Sequence, residues 1–351
     1  MNIVGIMSGT SMDGMDIVLC RFIFKEGRWT YQIVKAETID YDNTWRKKLS
    51  SAQHLNGEDL ILLHNDFGSF TGKAVKKFLG KSLKADLVAS HGHTIFHQPG
   101  KKMTFQLGNA PYIASECSLP VISDFRTPDV ASGGQGAPLV PVGDKLLFAG
   151  YDFCLNLGGF ANISTDVKDV RIACDLCPVN IVANELAQRI GAEYDAGGMS
   201  GRNGKLIPEL THELNNLEFY SIKGPKSLGR EWVEITFMPV LNKYKVPVED
   251  LLKSFYEHVA IQISNYINSK KPGKVLVTGG GAFNLFLVEL LRAKSNSELI
   301  IPDDKVVKYK EAIVFAFLGL LRYQNQVNIL ASVTGASRDS SGGGIYIIPD
   351  K

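Results

Sequence analysis

The chain has 351 residues, 45% of them hydrophobic and 21% charged, a globular composition long enough for about two domains. Lys plus Arg (38) nearly balances Asp plus Glu (36), and the net charge of +2 gives no reason to expect nucleic acid or an acidic membrane surface as partner. The five cysteines are scattered and odd in number and the N-terminus carries no basic leader, which excludes a disulfide framework and leads us to expect a cytoplasmic protein.

In chain order, Ile3 to Met7 reads as a strand, Ser8 to Asp16 as a small-residue turn, and Ile17 to Phe22 as a second strand. Asp86 to Ser90 reads as a short buried strand leading into His91-Gly92-His93. The strand–turn–strand layout returns at Phe153 to Leu157, Gly158 to Asn162, and Ile163-Ser164, an internal repeat of architecture rather than of letters. Val170 to Cys174 reads as a strand before Asp175. A helix follows over 180–190, with Val182, Leu186 and Ile190 four apart, Pro178 at its entry and Gly191 at its exit. Lys274 to Val277, Thr278 to Gly281, and Leu285 to Ala293 form strand, glycine loop and helix. The longest apolar run, 312–321, lies between Glu311 and Arg322; it falls short of the about 20 residues of a membrane span and reads as a buried helix. Strands mixed with helices give an α/β class. Glycine-turned hairpins argue against a purely parallel dinucleotide-binding sheet, and neither of the common phosphate-loop fingerprints is present. With no linker composition anywhere, the two lobes must join at a tight hinge.

Three loops carry candidate chemistry. In the first, the backbone and hydroxyls of Gly9, Thr10, Ser11, Met12, Asp13, Gly14 and Asp16 can approach phosphate oxygens, and Asp13 and Asp16 can hold Mg²⁺ directly or through water; the same letters also suit a polar hairpin. Gly158, Gly159 and Asn162 offer a second phosphate contact or an ordinary hairpin turn. Gly279, Gly280 and Gly281 let a flat ligand reach the backbone, where a tight β–α turn needs only one glycine. Together they describe a nucleotide held between two lobes by two phosphate turns and one adenosine loop. Two other patterns compete. Cys174-x-x-Cys177-Pro178 has redox spacing, and His91-x-His93, with His97 nearby, would face one way on a regular strand and suit a metal-dependent hydrolase.

The segments 5–16, 123–126 and 133–141, with 225–231 and 332–337, resemble the anhydro-N-acetylmuramic acid kinase family, in order and over nearly the whole chain. The first and third are specific to that family; the glycine loops are shared with other actin-like kinases. The resemblance implies a two-lobed actin-like (ribonuclease H-like) ATPase fold with an interlobe active-site cleft. We expect lobes over 1–145 and 146–351, with the C-terminal segment free to pack back on the first. It implies an ATP- and Mg²⁺-dependent kinase of cell-wall recycling. Such an enzyme opens the 1,6-anhydro ring of the amino sugar with water and phosphorylates the freed 6-oxygen. Asp175 stands at the family's catalytic base, although an N-cap-like turn would also use an Asp. Arg126 matches a sugar-binding Arg suited to a lactyl carboxylate, or serves a structural ion pair. His91, Gly92 and Thr94 match a motif lining the sugar site. Glu311 matches a Glu near the sugar, or compensates a helix start. A homodimer is also implied.

The chain departs from the family around the sugar. Asp-Thr-Gly-Pro-Gly-Asn is here Asp175-Leu176-Cys177-Pro178-Val179-Asn180. The Gln of His-Gly-Gln-Thr is His93, the second Arg of Asp-Phe-Arg-Arg is Thr127, and an Asp on the following helix is Asn184. The nucleotide loops are better kept. A kinase for another amino sugar and a non-catalytic nucleotide or sugar sensor are the alternatives.

Overall fold

In a computed structural model, residues 1–9, 12–222, 224 and 226–347 are described. The chain forms two compact units, Met1–Leu147 with Tyr309–Lys351, and Phe148–Lys308. The second boundary falls inside the helix Asp304–Tyr323.

The first unit is built on a seven-stranded sheet. Its strands are β1 (Asn2–Ser8), β2 (Gly14–Lys25), β3 (Arg28–Asp40), β4 (Leu87–Gln98), β5 (Met103–Leu107), β6 (Val121–Ser123) and a last strand, β12 (Gly344–Tyr346). The order is β12-β6-β4-β1-β2-β3, with β5 on β4. β1, β2 and β3 are antiparallel neighbours, whereas β4 runs parallel to both β1 and β6. β1 alternates faces within a wholly apolar run. Val4 and Ile6 join Phe67 and Val75 of the helix Gly57–Leu79 in one core, while Gly5 on the other face lies under Ala312 and Ala316. The helix Gly57–Leu79 starts where the Asn56 side chain accepts from Asp59 N–H, and it carries Glu58 and Asp59 in the first turn and Lys76 and Lys77 in the last, as its dipole favours.

The second unit has a five-stranded sheet in the order β11-β10-β7-β8-β9. These are β7 (Phe153–Leu157), β8 (Phe160–Val167), β9 (Val170–Pro178), β10 (Lys274–Thr278) and β11 (Glu298–Ile300). β7, β8 and β9 are antiparallel neighbours, and β10 runs parallel to β7 and β11. Read as β3-β2-β1-β4-β6, the first sheet has the same order and directions. The repeated layout of two glycine-turned hairpins is thus a repeat of whole sheets, and the fold is the α/β actin-like class. The second core gathers around the helix Val248–Asn268, with Leu252, Phe255, Val259 and Ile263 fully enclosed.

β12 reaches β6 because buried Asn328 anchors the chain ahead of it. Its Nδ2 donates to Leu318 O (3.0 Å) and Gly342 O (2.9 Å), and its Oδ1 accepts from Gly342 N–H (2.7 Å). Asn328→Ala should cost about 2 kcal/mol, since the stranded backbone groups lose their partners without gaining water; the urea midpoint measures it.

Among the described residues no helix is long and apolar enough to cross a membrane.

Candidate active site

In the first unit, the β1–β2 turn spans residues 9–13. Thr10 and Ser11 lie outside the described residues. Met12 is left-handed (φ 58°) and its N–H donates to Gly9 O at 3.3 Å. Asp13 is exposed, and Gly14 begins β2 opposite Asp40. Asp16 stands in β2 between Met7 and Thr38 on the flanking strands. It accepts from Thr38 Oγ1 at 2.6 Å, and burial raises its carboxyl against that bond. One exposed and one half-buried carboxylate are oxygen donors of the kind Mg²⁺ takes, since that ion keeps several waters and completes its shell on phosphates.

His91, Gly92 and His93 lie inside β4 rather than after it. Ile6 pairs with Ser90 but Ser8 with His93, so β4 carries a bulge here. Gly92 takes φ 74°, and a Cβ on it would lie 2.3 Å from Leu107 O. The extra residue sends the two imidazoles to opposite faces. His91 packs on Phe315 (ring centroids 4.6 Å apart), and His93 lies on the Phe67 side. Expecting both on one face was wrong, because strand alternation fails across the bulge. Their partners also differ. His91 Nε2 meets Arg126 Nε at 2.9 Å, whereas His93 Nδ1 meets Ser8 Oγ at 2.8 Å. His97 turns to Thr104 Oγ1. Among the described residues no three His, Cys, Asp or Glu side chains gather as metal ligands. The hydrolase built on His91 and His93 is therefore set aside. Thr94 is half-buried and accepts weakly from Gln106 Nε2 at 3.4 Å.

Arg126 follows β6. Besides His91, it donates through Nη1 to Gly136 O at 2.7 Å, and burial lowers its guanidinium to about 10 while Glu311 pulls it back up. Gly136 is itself fixed, because its N–H donates to the buried Asp129 carboxylate, which also accepts from Thr334 Oγ1. The motif segments 133–141 and 332–337 thus converge on the loop that holds Arg126. Glu311 is exposed as a residue, yet its carboxyl is crowded by protein. Its carboxyl is raised by desolvation first, against Arg126 and Lys310, with Asp16 adding to the rise. It is the eighth residue of the helix Asp304–Tyr323, too far in for the helix start to explain it. A cavity of about 150 Å³ nearby is lined by His64, His91, Gln106, Asn109, Asp124 and Thr127. Thr127 thus borders that cavity.

In the second unit, Asp175 lies within β9, which continues to Pro178 before the helix Asn180–Gln188. A strand ending at Cys174 and an N-cap role for Asp175 are both corrected. The pairing shift between Ala161 and Asn162 leaves Leu176 as the extra residue of a bulge, with Leu176 and Cys177 both buried. The ladder sets Asn156, Asn162 and Asp175 opposite one another on β7, β8 and β9. Asp175 Oδ2 accepts from Leu228 N–H (2.8 Å) and Ser227 Oγ (3.2 Å), and its own N–H donates to Lys226 O. Burial raises its carboxyl, with those two bonds opposing. Cys174 and Cys177 are free thiols pushed up mainly by burial, the reverse of what a redox thiolate needs.

The β7–β8 turn is Gly158-Gly159. Its carbonyls accept from the N–H groups of Val179, Asn180 and Ile181, so the hairpin occupies the donors that open the next helix. Gly279 is left-handed (φ 84°), and a Cβ there would lie 2.6 Å from Asn156 Oδ1 and 2.8 Å from the Leu157 carbonyl carbon. Gly281 packs on Leu157 in the same way. Gly280 has only Asn180 Nδ2, at 3.4 Å, beside it. The glycine loop and the hairpin therefore meet, and Gly280 is the member whose missing side chain leaves room.

Ser227 and Leu228 received no role from the sequence, because nothing in local spacing links them to an Asp some fifty positions earlier; only their place in a family segment marked them. Asn156 did carry a signal, as the lone polar residue of a buried strand.

The sequence pattern of the family described as anhydro-N-acetylmuramic acid kinase matches residues 1–348. A protein of that name from Francisella tularensis subsp. novicida is 34% identical, covering 95% of this chain and 95% of its own. Another, from Saccharophagus degradans, is 32% identical with 98% of each covered. Among solved structures, component A of (R)-2-hydroxyglutaryl-CoA dehydratase from Acidaminococcus fermentans covers 90% of this chain and 96% of its own at 11% identity and a TM-score of 0.47. A glucokinase of the ROK family from Streptomyces griseus, in complex with glucose and AMPPNP, covers 91% and 99% at 10% identity and 0.43.

Proposed function

The chain belongs to the anhydro-N-acetylmuramic acid kinase family and is an ATP-dependent sugar kinase, and on that premise we propose that it hydrolyses the 1,6-anhydro ring of anhydro-N-acetylmuramic acid and phosphorylates O6. Water attacks C1, the C1–O6 bond breaks, and O6 takes the γ-phosphoryl group of ATP. The products are N-acetylmuramic acid 6-phosphate and ADP. The observation that carries this reading is Asp175, a half-buried carboxylate anchored, among the described residues, through Oδ2 by Leu228 N–H and Ser227 Oγ. Its raised pKa suits a general base better than an ordinary exposed Asp would, since proton transfer is most efficient when the base is matched to the working pH. Oδ1 takes the proton of the attacking water.

The acceptor contacts fall to the Arg126 guanidinium, for the lactyl carboxylate, and to Glu311, Thr94 and Gly92, with His91 bonded to the guanidinium. The nucleotide contacts fall to Gly9, Met12, Asp13, Gly14 and Asp16, together with Gly158, Gly159, Asn162 and Gly279 to Gly281; Thr10 and Ser11 complete that set in sequence. Asp13 and Asp16 would hold Mg²⁺, which when bound offsets charge on the transferring phosphoryl group. Family membership supports a homodimer acting in the cytoplasm.

Incubation with ATP, Mg²⁺ and anhydro-N-acetylmuramic acid should give the 6-phosphate and ADP in equal amounts, read by mass spectrometry. ADP without sugar phosphate, or turnover only on another amino sugar, would overturn the substrate assignment.

A further inference from the structure

We propose that His91 is a positioning residue for Arg126 rather than a sugar contact: in its neutral form with the proton on Nδ1, it holds the guanidinium ready for an anionic group of the acceptor. The inference rests on the reading of Arg126 given above and deepens it.

The hydrogen bonds of the ring leave one arrangement. Nδ1 lies 2.9 Å from Gly92 O, and a carbonyl only accepts, so Nδ1 bears the hydrogen. Nε2 lies 2.9 Å from Arg126 Nε, and a guanidinium only donates, so Nε2 is bare. The opposite tautomer and the imidazolium would each set two donors against one another. The ring cannot turn to escape. It is 3% exposed and packed on Phe315 at 4.6 Å, and the Gly92 bulge fixes the backbone on either side.

The guanidinium is then held at Nε by His91 and at Nη1 by Gly136 O. Both acceptors are neutral, so they fix its plane without cancelling its charge. Among the described residues Arg126 makes no ion pair, and Glu311 acts on it only at longer range. Nη2 remains for a ligand. A desolvated, oriented cation of this kind is a carboxylate receptor, and orientation is what a fork-shaped donor needs. Burial holds His91 well below the ordinary histidine range, with Arg126, His93 and His97 acting in the same direction and the Gly92 O bond opposing.

The test compares His91→Leu, His91→Gln, Arg126→Met and the His91→Leu/Arg126→Met double variant. Two acceptors are used: anhydro-N-acetylmuramic acid and anhydro-N-acetylglucosamine, which lacks the lactyl carboxylate. We expect His91→Leu to raise the KM of the acidic sugar about 10- to 100-fold, the scale of one hydrogen bond to a charged group, while the KM of ATP moves less than about twofold. On the neutral sugar the effect should be absent. The double variant should be no worse than Arg126→Met, and His91→Gln, whose amide oxygen can accept from Nε, should recover most of the loss. In the wild-type protein, ¹⁵N NMR should show the neutral Nδ1–H form, a readout that does not depend on any variant folding. Additive losses in the double variant, equal losses on both sugars, or an Nε2–H form would overturn the proposal. If Arg126→Met leaves the KM of the acidic sugar unchanged, the reading of Arg126 fails instead, and the NMR result then stands by itself as a test of the tautomer.

Discussion

Asp175→Asn should lower turnover on the sugar by about 10²- to 10⁴-fold, the usual contribution of a positioned general base, while nucleotide affinity stays within about twofold. The amide keeps an oxygen for Leu228 N–H and Ser227 Oγ but cannot take a proton from water. The pH profile adds a second check. Burial raises the Asp175 carboxyl above 3.8, so in the wild type kcat/KM should fall on the acid side at a pH above the ordinary Asp value. That limb should vanish from the residual activity of the variant. Stability should move the other way from activity. The folded pKa exceeds the unfolded one, so the ionised carboxylate opposes folding at neutral pH, and that cost is relieved as pH falls through the folded value. The Asn variant carries no such cost, and its thermal midpoint at neutral pH should equal or exceed that of the wild type. Wild-type turnover with a lowered midpoint would make Asp175 a structural residue.

The second large effect separates two adjacent glycines. Gly279→Ala places a β-carbon in a left-handed backbone and within 2.8 Å of the Leu157 carbonyl carbon, so both strain and overlap must be absorbed. We expect a loss of about 3 kcal/mol in unfolding free energy, measured by urea denaturation. Gly280→Ala meets nothing closer than 3.4 Å, and its stability should change by less than about 1 kcal/mol. The added methyl instead occupies space assigned to nucleotide, so the Kd for an ATP analogue, read by calorimetry, should rise about tenfold. Unchanged affinity in a stable Gly280→Ala protein would remove the loop from the nucleotide contacts.

Those two neighbours show what letters leave open. Gly279, Gly280 and Gly281 are identical in sequence, yet two are glycine because Asn156 and Leu157 crowd them and one is not crowded at all. Which is which depends on a strand more than a hundred residues earlier. The histidines make the same point. A period-two strand predicts one shared face for His91 and His93, and a single extra residue in β4 reverses it. Bulges arise from how a strand pairs, and pairing partners are not written in the strand itself. Cys174 and Cys177 looked like a redox pair by spacing alone; burial, which spacing does not record, raises both thiols.

The α/β class, the two hairpin-led halves and the glycine loop before a helix were determined by the sequence, since apolar periodicity and turn residues act over a few neighbouring positions; the family was legible too, through its ordered motif segments. Only the tertiary structure decided that Ser227 and Leu228 hold Asp175, that Asp129 ties the segments 133–141 and 332–337 around Arg126, and that His91 turns to the guanidinium. Apart from Asp129 to Gly136, seven residues on, those contacts join residues far apart along the chain, and the hydrogen-bonding groups that meet there are selected by the packing of whole sheets and helices rather than by local propensity.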